Sequence, residues 1–143
     1  MIEQPIEVET RIGAPPDVVF AYFVDPVLYQ RWKGNTAELD PRPGGLYRVL
    51  MPSGDLVRGE YLTVEPPTRV VFTWGFEGSS DLPPGASTVE VTLRADGNGT
   101  IVRLRHERLP SDESRQQHAI GWHHYLERLA LVASGKDPGP DWN

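Results

Sequence analysis

Apolar and charged residues alternate through Ile6-Glu7-Val8-Glu9-Thr10-Arg11-Ile12, a period of two that predicts a strand with one wet face. Gly13-Ala14-Pro15-Pro16 stops that strand, and Pro16 suits a first helical position, where its missing N–H would be unbonded anyway. Val19, Tyr22 and Phe23 then recur at helical spacing, with Asp17 favourable in the first turn. Asp25-Pro26 restarts the chain as N-cap plus first helical residue, predicting a short second helix from Val27 to Trp32.

From Thr36 to Arg108 the pattern changes to strands and turns. Strands are predicted over Gly45 to Met51, Leu56 to Val64, Arg69 to Phe76, Ser87 to Ala95 and Thr100 to Arg108. Asp96-Gly97-Asn98-Gly99 between the last two is a strong hairpin signal. Turn residues recur every 8–12 residues, as expected of an antiparallel meander. Glu77 to Gly85 reads as a long loop whose motion would gate entry to the interior.

Ser111 or Asp112 can cap the final helix, whose apolar stripe Trp122, Tyr125, Leu126, Leu129, Ala130 and Ala133 runs at spacings of three and four. A helix of roughly 23 residues is about 34 Å long, enough to cross a sheet. Gly121 within it costs about 1 kcal/mol relative to Ala, an expense that close backbone packing would explain. The tail from about 136, Asp137-Pro138-Gly139-Pro140-Asp141 included, reads as frayed. The order is strand, two short helices, five or six strands and a long terminal helix. The packing it predicts is an α+β domain in which a curved antiparallel sheet wraps the long helix. A twisted sheet does not close fully on a straight helix, and the space left is suited to a small molecule.

Composition narrows the chemistry. The 143 residues form one domain of common size. With 14 basic and 20 acidic side chains the net charge is −6, which argues against nucleic acid. No cysteine is present, so disulfides, thiolate nucleophiles and Cys-based metal sites are excluded. No signal peptide or run long enough to span a membrane is visible, so a cytoplasmic location without membrane insertion is the expectation. The 14 glycines and 14 prolines belong mostly to turns, loop and tail; Gly59, like Gly121, calls for close packing.

Candidate chemistry is sparse. His123 and His124 are adjacent and point about 100° apart on a helix, so they cannot share an ion. His123 with Glu127 is a surface pair rather than a metal site. No dinucleotide fingerprint, Walker-type loop, HExxH or GxSxG occurs, and no metal or other cofactor is expected. His106 shares the inward face of its strand with Val102 and Leu104. It is either a core histidine bonded to a backbone carbonyl, a polar anchor, or a general base tuned by apolar surroundings. His118 could line the same mouth from the helix. Trp32, Tyr47, Phe72, Trp74, Trp122 and Tyr125 fall on inward faces, whereas Arg58 and Glu60 face solvent.

The phrases Ala14-Pro15-Pro16-Asp17-Val18-Val19-Phe20, Asp25-Pro26 followed by Trp32, and Pro43-Gly44-Gly45 resemble the START-like (SRPBCC, birch-pollen-allergen-like) superfamily. Gly59-Glu60-Tyr61-Leu62-Thr63-Val64-Glu65-Pro66-Pro67 with Arg69-Val70-Val71-Phe72-Thr73-Trp74, Gly121-Trp122 and Tyr125-Leu126-Glu127-Arg128-Leu129 is similar to the branch named for activator-of-heat-shock-protein-ATPase homologues. The resemblance spans Ile6 to Gly135 and implies a helix-grip fold over a single domain, 1–143, with an apolar pocket between sheet and terminal helix. It is compatible with a homodimer.

Three functional readings follow. In the first, the domain binds a small hydrophobic or aromatic ligand, with Trp32, Tyr47, Trp74, His106, Trp122 and Tyr125 lining the cavity. In the second, it is an enzyme of cyclase, hydrolase or lyase type acting on a polyketide-like or aromatic molecule, with His106 as acid–base. The third is an interaction module that modulates a chaperone ATPase or a regulator.

Overall fold

A computed structural model of the chain describes residues 4–34 and 36–140. The first strand, β1 (Ile6–Ile12), leads into α1 (Pro16–Val24) and α2 (Pro26–Tyr29). Six strands follow: β2 (Thr36–Leu39), β3 (Leu46–Leu50), β4 (Leu56–Glu65), β5 (Arg69–Trp74), β6 (Ser87–Asp96) and β7 (Gly99–Glu107). The terminal helix α3 runs from Asp112 to Ala133. All seven strands form one antiparallel sheet in the order β1-β7-β6-β5-β4-β3-β2, so the first strand closes on the last and β2 forms the far edge. This is the α+β helix-grip architecture, a curved open sheet holding a long C-terminal helix.

Local chemistry sets the element ends. Pro16 stands at the first helical position of α1. The Asp25 carboxylate accepts from the Val27 and Leu28 amides, capping α2. That helix ends at Tyr29 rather than Trp32, because Arg31 and Trp32 bond to carbonyls three residues back and tighten the chain. The Ser111 hydroxyl caps α3 by accepting from the Ser114 amide. Between β6 and β7 the register pairs Asp96 with Gly99, leaving Gly97-Asn98 as a two-residue turn with Gly97 at φ 59°. Strand β5 stops at Trp74, two residues early, and Phe76 keeps only an isolated bridge to Val57.

The two glycines expected to allow close packing part company. A Cβ on Gly59 would lie 1.9 Å from the Thr73 carbonyl oxygen, so β4 crosses β5 where only glycine fits. Here the ladder is irregular: the Glu60 amide donates to the Thr73 hydroxyl, and a register shift follows between Tyr61 and Thr63. A Cβ on Gly121 would meet nothing within 4 Å, so close packing does not explain that residue. It faces open space.

The core fills the gap between the sheet's concave face and the helices. Val89, Val91, Val102 and Leu104 from β6 and β7 meet Val19, Phe23, Leu126 and Leu129, all buried. Arg128 of α3 donates to the Trp32 carbonyl and to those of Pro138 and Gly139, tying helix, α2 turn and the tail through 140 together. Residues 141–143 of the predicted frayed tail lie outside the described residues. No described helix is long and apolar enough to cross a membrane.

Candidate functional site

The helix does not close down on the sheet along its whole length. A cavity of about 710 Å³ remains between residues 117–125 of α3, the turn after α2, the β3–β4 turn and strands β4 and β5 with the segment that follows β5. Its inner wall is Lys33, Met51, Val57, Trp74, Trp122 and Tyr125, and its rim includes Asp55, Phe76, Glu77, Gln117 and Ile120. On α3 the residues that face it, His118, Gly121, Trp122 and Tyr125, follow helical spacing and form one stripe. Because Gly121 presents no side chain there, the cavity extends to the helix backbone.

Two histidines fix the two tryptophans of the wall. An indole N–H can only donate, so Trp122 donates to His106 Nδ1 at 3.0 Å. His106 therefore carries its proton on Nε2, which donates to the Ser87 hydroxyl at 2.8 Å. Ser87 in turn donates to the Trp74 carbonyl at 2.7 Å. Trp74 donates its indole N–H to His118 Nε2 at 3.3 Å, and His118 Nδ1 donates to the Ser114 carbonyl at 2.8 Å. Both imidazoles are held neutral, His106 well below its ordinary pKa and His118 also below it. In each, burial is the leading cause, and repulsion from the Lys33 charge acts in the same direction.

The unexpected member of the wall is Lys33, only 3% exposed. Its Nζ lies 4.4 Å from the ring centroid of Tyr125, 4.9 Å from that of Trp74 and 5.2 Å from that of Trp122. It also reaches Met51 Sδ at 3.2 Å. Burying an ammonium costs several kcal/mol, and each desolvated cation–π contact returns up to about 2 kcal/mol. Three ring faces around one charge therefore offset much of that cost. The backbone geometry that aims Lys33 inward is local. Its amide bonds to the Tyr29 carbonyl, and Gly34 at φ 84° turns the chain away behind it.

Of the residues read from the sequence as lining the cavity, Trp74, Trp122 and Tyr125 do so. Trp32, Tyr47 and His106 do not: they lie deeper, each 0% exposed. Trp32 spends its indole N–H on the Tyr22 carbonyl, and Tyr47 bonds to the Tyr29 hydroxyl while stacking on Phe72 at 4.2 Å. Burial raises the pKa of Tyr29, Tyr47 and Tyr61, so these hydroxyls stay protonated. His106 is bonded to side chains rather than to a backbone carbonyl. Its lone pair accepts from Trp122 and its N–H donates to Ser87, so both ring nitrogens are engaged within the protein. His118, read as a possible lining residue, does line the cavity.

Lys33 was not singled out by sequence patterning. The available signal was compositional: the chain has twelve arginines and two lysines, and this lysine follows a tryptophan beside a helix cap. The 77–85 loop is half rim and half anchor. Glu77, Gly78 and Ser79 border the cavity, whereas Leu82 is buried, its carbonyl accepting from the Phe76 amide and its amide donating to the Ser79 hydroxyl. Glu77 is flanked by Arg48 at 3.3 Å and Arg58 at 3.8 Å, which offset its charge at the rim. His123 and Glu127 sit 3.7 Å apart on the exposed face of α3, and no group of three potential metal ligands occurs among the described residues.

Comparison with known proteins sets this geometry in a family. The family model described as "Activator of Hsp90 ATPase homolog 1-like protein" matches residues 13–134. An AHSA1-like protein from Rhizobium etli is 43% identical over 99% of this chain and 89% of its own, with a TM-score of 0.74. A protein from Plasmodium falciparum described as an HSP90 activator is 26% identical over 91% of this chain and 96% of its own, with a TM-score of 0.76. The Aha1 dimer from Colwellia psychrerythraea shares the fold at a TM-score of 0.81, with 15% identity over 93% of this chain and 98% of its own. No curated protein matches the chain.

Proposed function

The chain belongs to the activator of Hsp90 ATPase homolog 1-like family, and from that premise we propose that it binds a small hydrophobic or aromatic ligand between its sheet and α3. The observation that carries this reading is the cavity of about 710 Å³ walled by Trp74, Trp122 and Tyr125. Its volume lies within the roughly 300–1,000 Å³ of typical ligand pockets. Its aromatic walls are held in place by hydrogen bonds to His106 and His118, so the surface offered to a ligand is organised beforehand. Each 200 Å² or so of apolar ligand surface hidden there would contribute about 5 kcal/mol before binding costs.

The enzyme reading has less support, because both nitrogens of its candidate base, His106, are engaged within the protein. Modulation of a chaperone ATPase rests on the family description and on the Plasmodium relative. A collapsed interior with a large exposed apolar patch would favour the interaction reading, whereas the interior here is open beneath α3.

Native mass spectrometry of freshly purified protein tests the proposal. A non-covalent adduct is expected on the wild type and not on Gly121→Phe, whose ring would project into the space that Gly121 leaves. An unliganded mass, together with no thermal shift from a library of small aromatic and aliphatic compounds, would overturn it.

A further inference from the structure

Every other glycine of the chain has either a positive φ or an atom within 4 Å of the place its Cβ would take; Gly121 has neither. It also stands inside a helix, where glycine is the costliest residue after proline. What lies beside it is the cavity. Gly121 sits between Ile120, 64% exposed at the mouth, and Trp122, 2% exposed in the wall. A helical side chain lies over the turn that precedes its own Cα. A side chain at 121 would therefore stand beside Gln117 and His118, in the space between mouth and wall. The aromatic wall is fixed, with Trp74 bonded to His118 and Trp122 to His106, so it does not set a variable width. The width at this point is set by the missing side chain.

Resting on the ligand-binding reading above, we propose that Gly121 is the specificity-determining position of the cavity, selecting an aromatic ring system that carries a bulky apolar branch. The ring system lies against Trp74 and Trp122, and the branch lies on the helix backbone at Gly121. Amides and carbonyls in the middle of a helix are bonded within it, so the surface offered there is apolar and asks for no polar group on the branch. A branch that fills the space removes apolar surface from water and gains dispersion contacts. An unbranched ring leaves the space unfilled and forfeits those contacts. Adding atoms at position 121 would crowd the branch and leave the ring's own contacts in place.

The test compares 1-naphthylamine with N-phenyl-1-naphthylamine, which share a ring system and differ by one phenyl branch, by fluorescence titration of the full chain. The wild type is expected to bind the branched probe at least about tenfold more tightly than the parent. Gly121→Ala is expected to lose part of that preference and Gly121→Val most of it, each keeping the parent's affinity within about twofold. His123→Ala, on the exposed face of α3, should leave both affinities unchanged. Should Gly121→Val not fold, Gly121→Ala decides the matter, because alanine suits a helix better than glycine. Equal affinities in the wild type, an undiminished preference in the Gly121 variants, or equal weakening of both probes would overturn the role of Gly121 and leave ligand binding standing. A wild type that binds neither probe would overturn the aromatic-ligand reading, and this one with it.

Discussion

His106 and His118 each offer an acceptor nitrogen to a tryptophan, and that single requirement links protonation to the shape of the cavity. A protonated imidazole has no acceptor, so taking up a proton at either site releases an indole N–H into a buried setting. Both pKa values are depressed below 6.5 in the folded protein, with burial the first cause. Between the depressed values and 6.5 the unfolded chain therefore binds more protons than the folded one. Stability is then full above about pH 6.5 and falls as the pH drops below it. Urea denaturation between pH 7.5 and 5 should show a falling midpoint, with His106→Asn and His118→Asn each flattening the slope. An unchanged midpoint across that range would contradict the neutral-histidine assignment. At this scale the sequence was informative about faces but not about depth. Period-two patterning placed Trp74 and His106 inward, but it cannot tell a cavity wall from the layer behind it. Nor could it find Lys33, because a lysine after a short helix ordinarily reaches solvent. Its burial depends on the turn being pulled beneath α3, where Arg128 holds the Trp32 carbonyl.

Among the elements, α3 carries the clearest residue that local helix stability does not explain. Gly121 lies mid-helix without positive φ and without a neighbour close enough to demand it. Replacing it by Ala should favour the helix by up to about 1 kcal/mol, read as a raised urea midpoint. Destabilisation would mean that a packing contact there had gone unrecognised. Gly59 is the opposite case, because the Thr73 carbonyl lies where its Cβ would be. The difference between them was not legible in the chain, since both read simply as glycine inside an element. What was legible depended on local chemistry. The Gly97-Asn98 turn, the Asp25 and Ser111 caps and Pro16 all act within a few residues of themselves. Predicted ends moved at α2, which tightens into three-residue bonds after Tyr29, and at β5, which stops at Trp74.

For the whole molecule, one geometric fact organises the rest: a 22-residue helix lies across a curved seven-stranded sheet. Contact is close toward the carboxyl end, where Leu126 and Leu129 are buried, and open toward the amino end, where His118 and Gly121 border the cavity. That the domain should have a cavity followed from the order of elements alone. The placement of its cation and its open glycine stripe required coordinates. The central claim is that this cavity is a binding site, and its indole groups report on it directly. Nitrogen-15 spectra of the Trp side chains, recorded while a library of small aromatic compounds is titrated, give the decisive reading. The Trp74 and Trp122 indole signals should shift together and saturably, with Trp32 unmoved and the response lost in Gly121→Phe. Ligands that bind without moving Trp74 or Trp122, or that bind Gly121→Phe equally well, would contradict it.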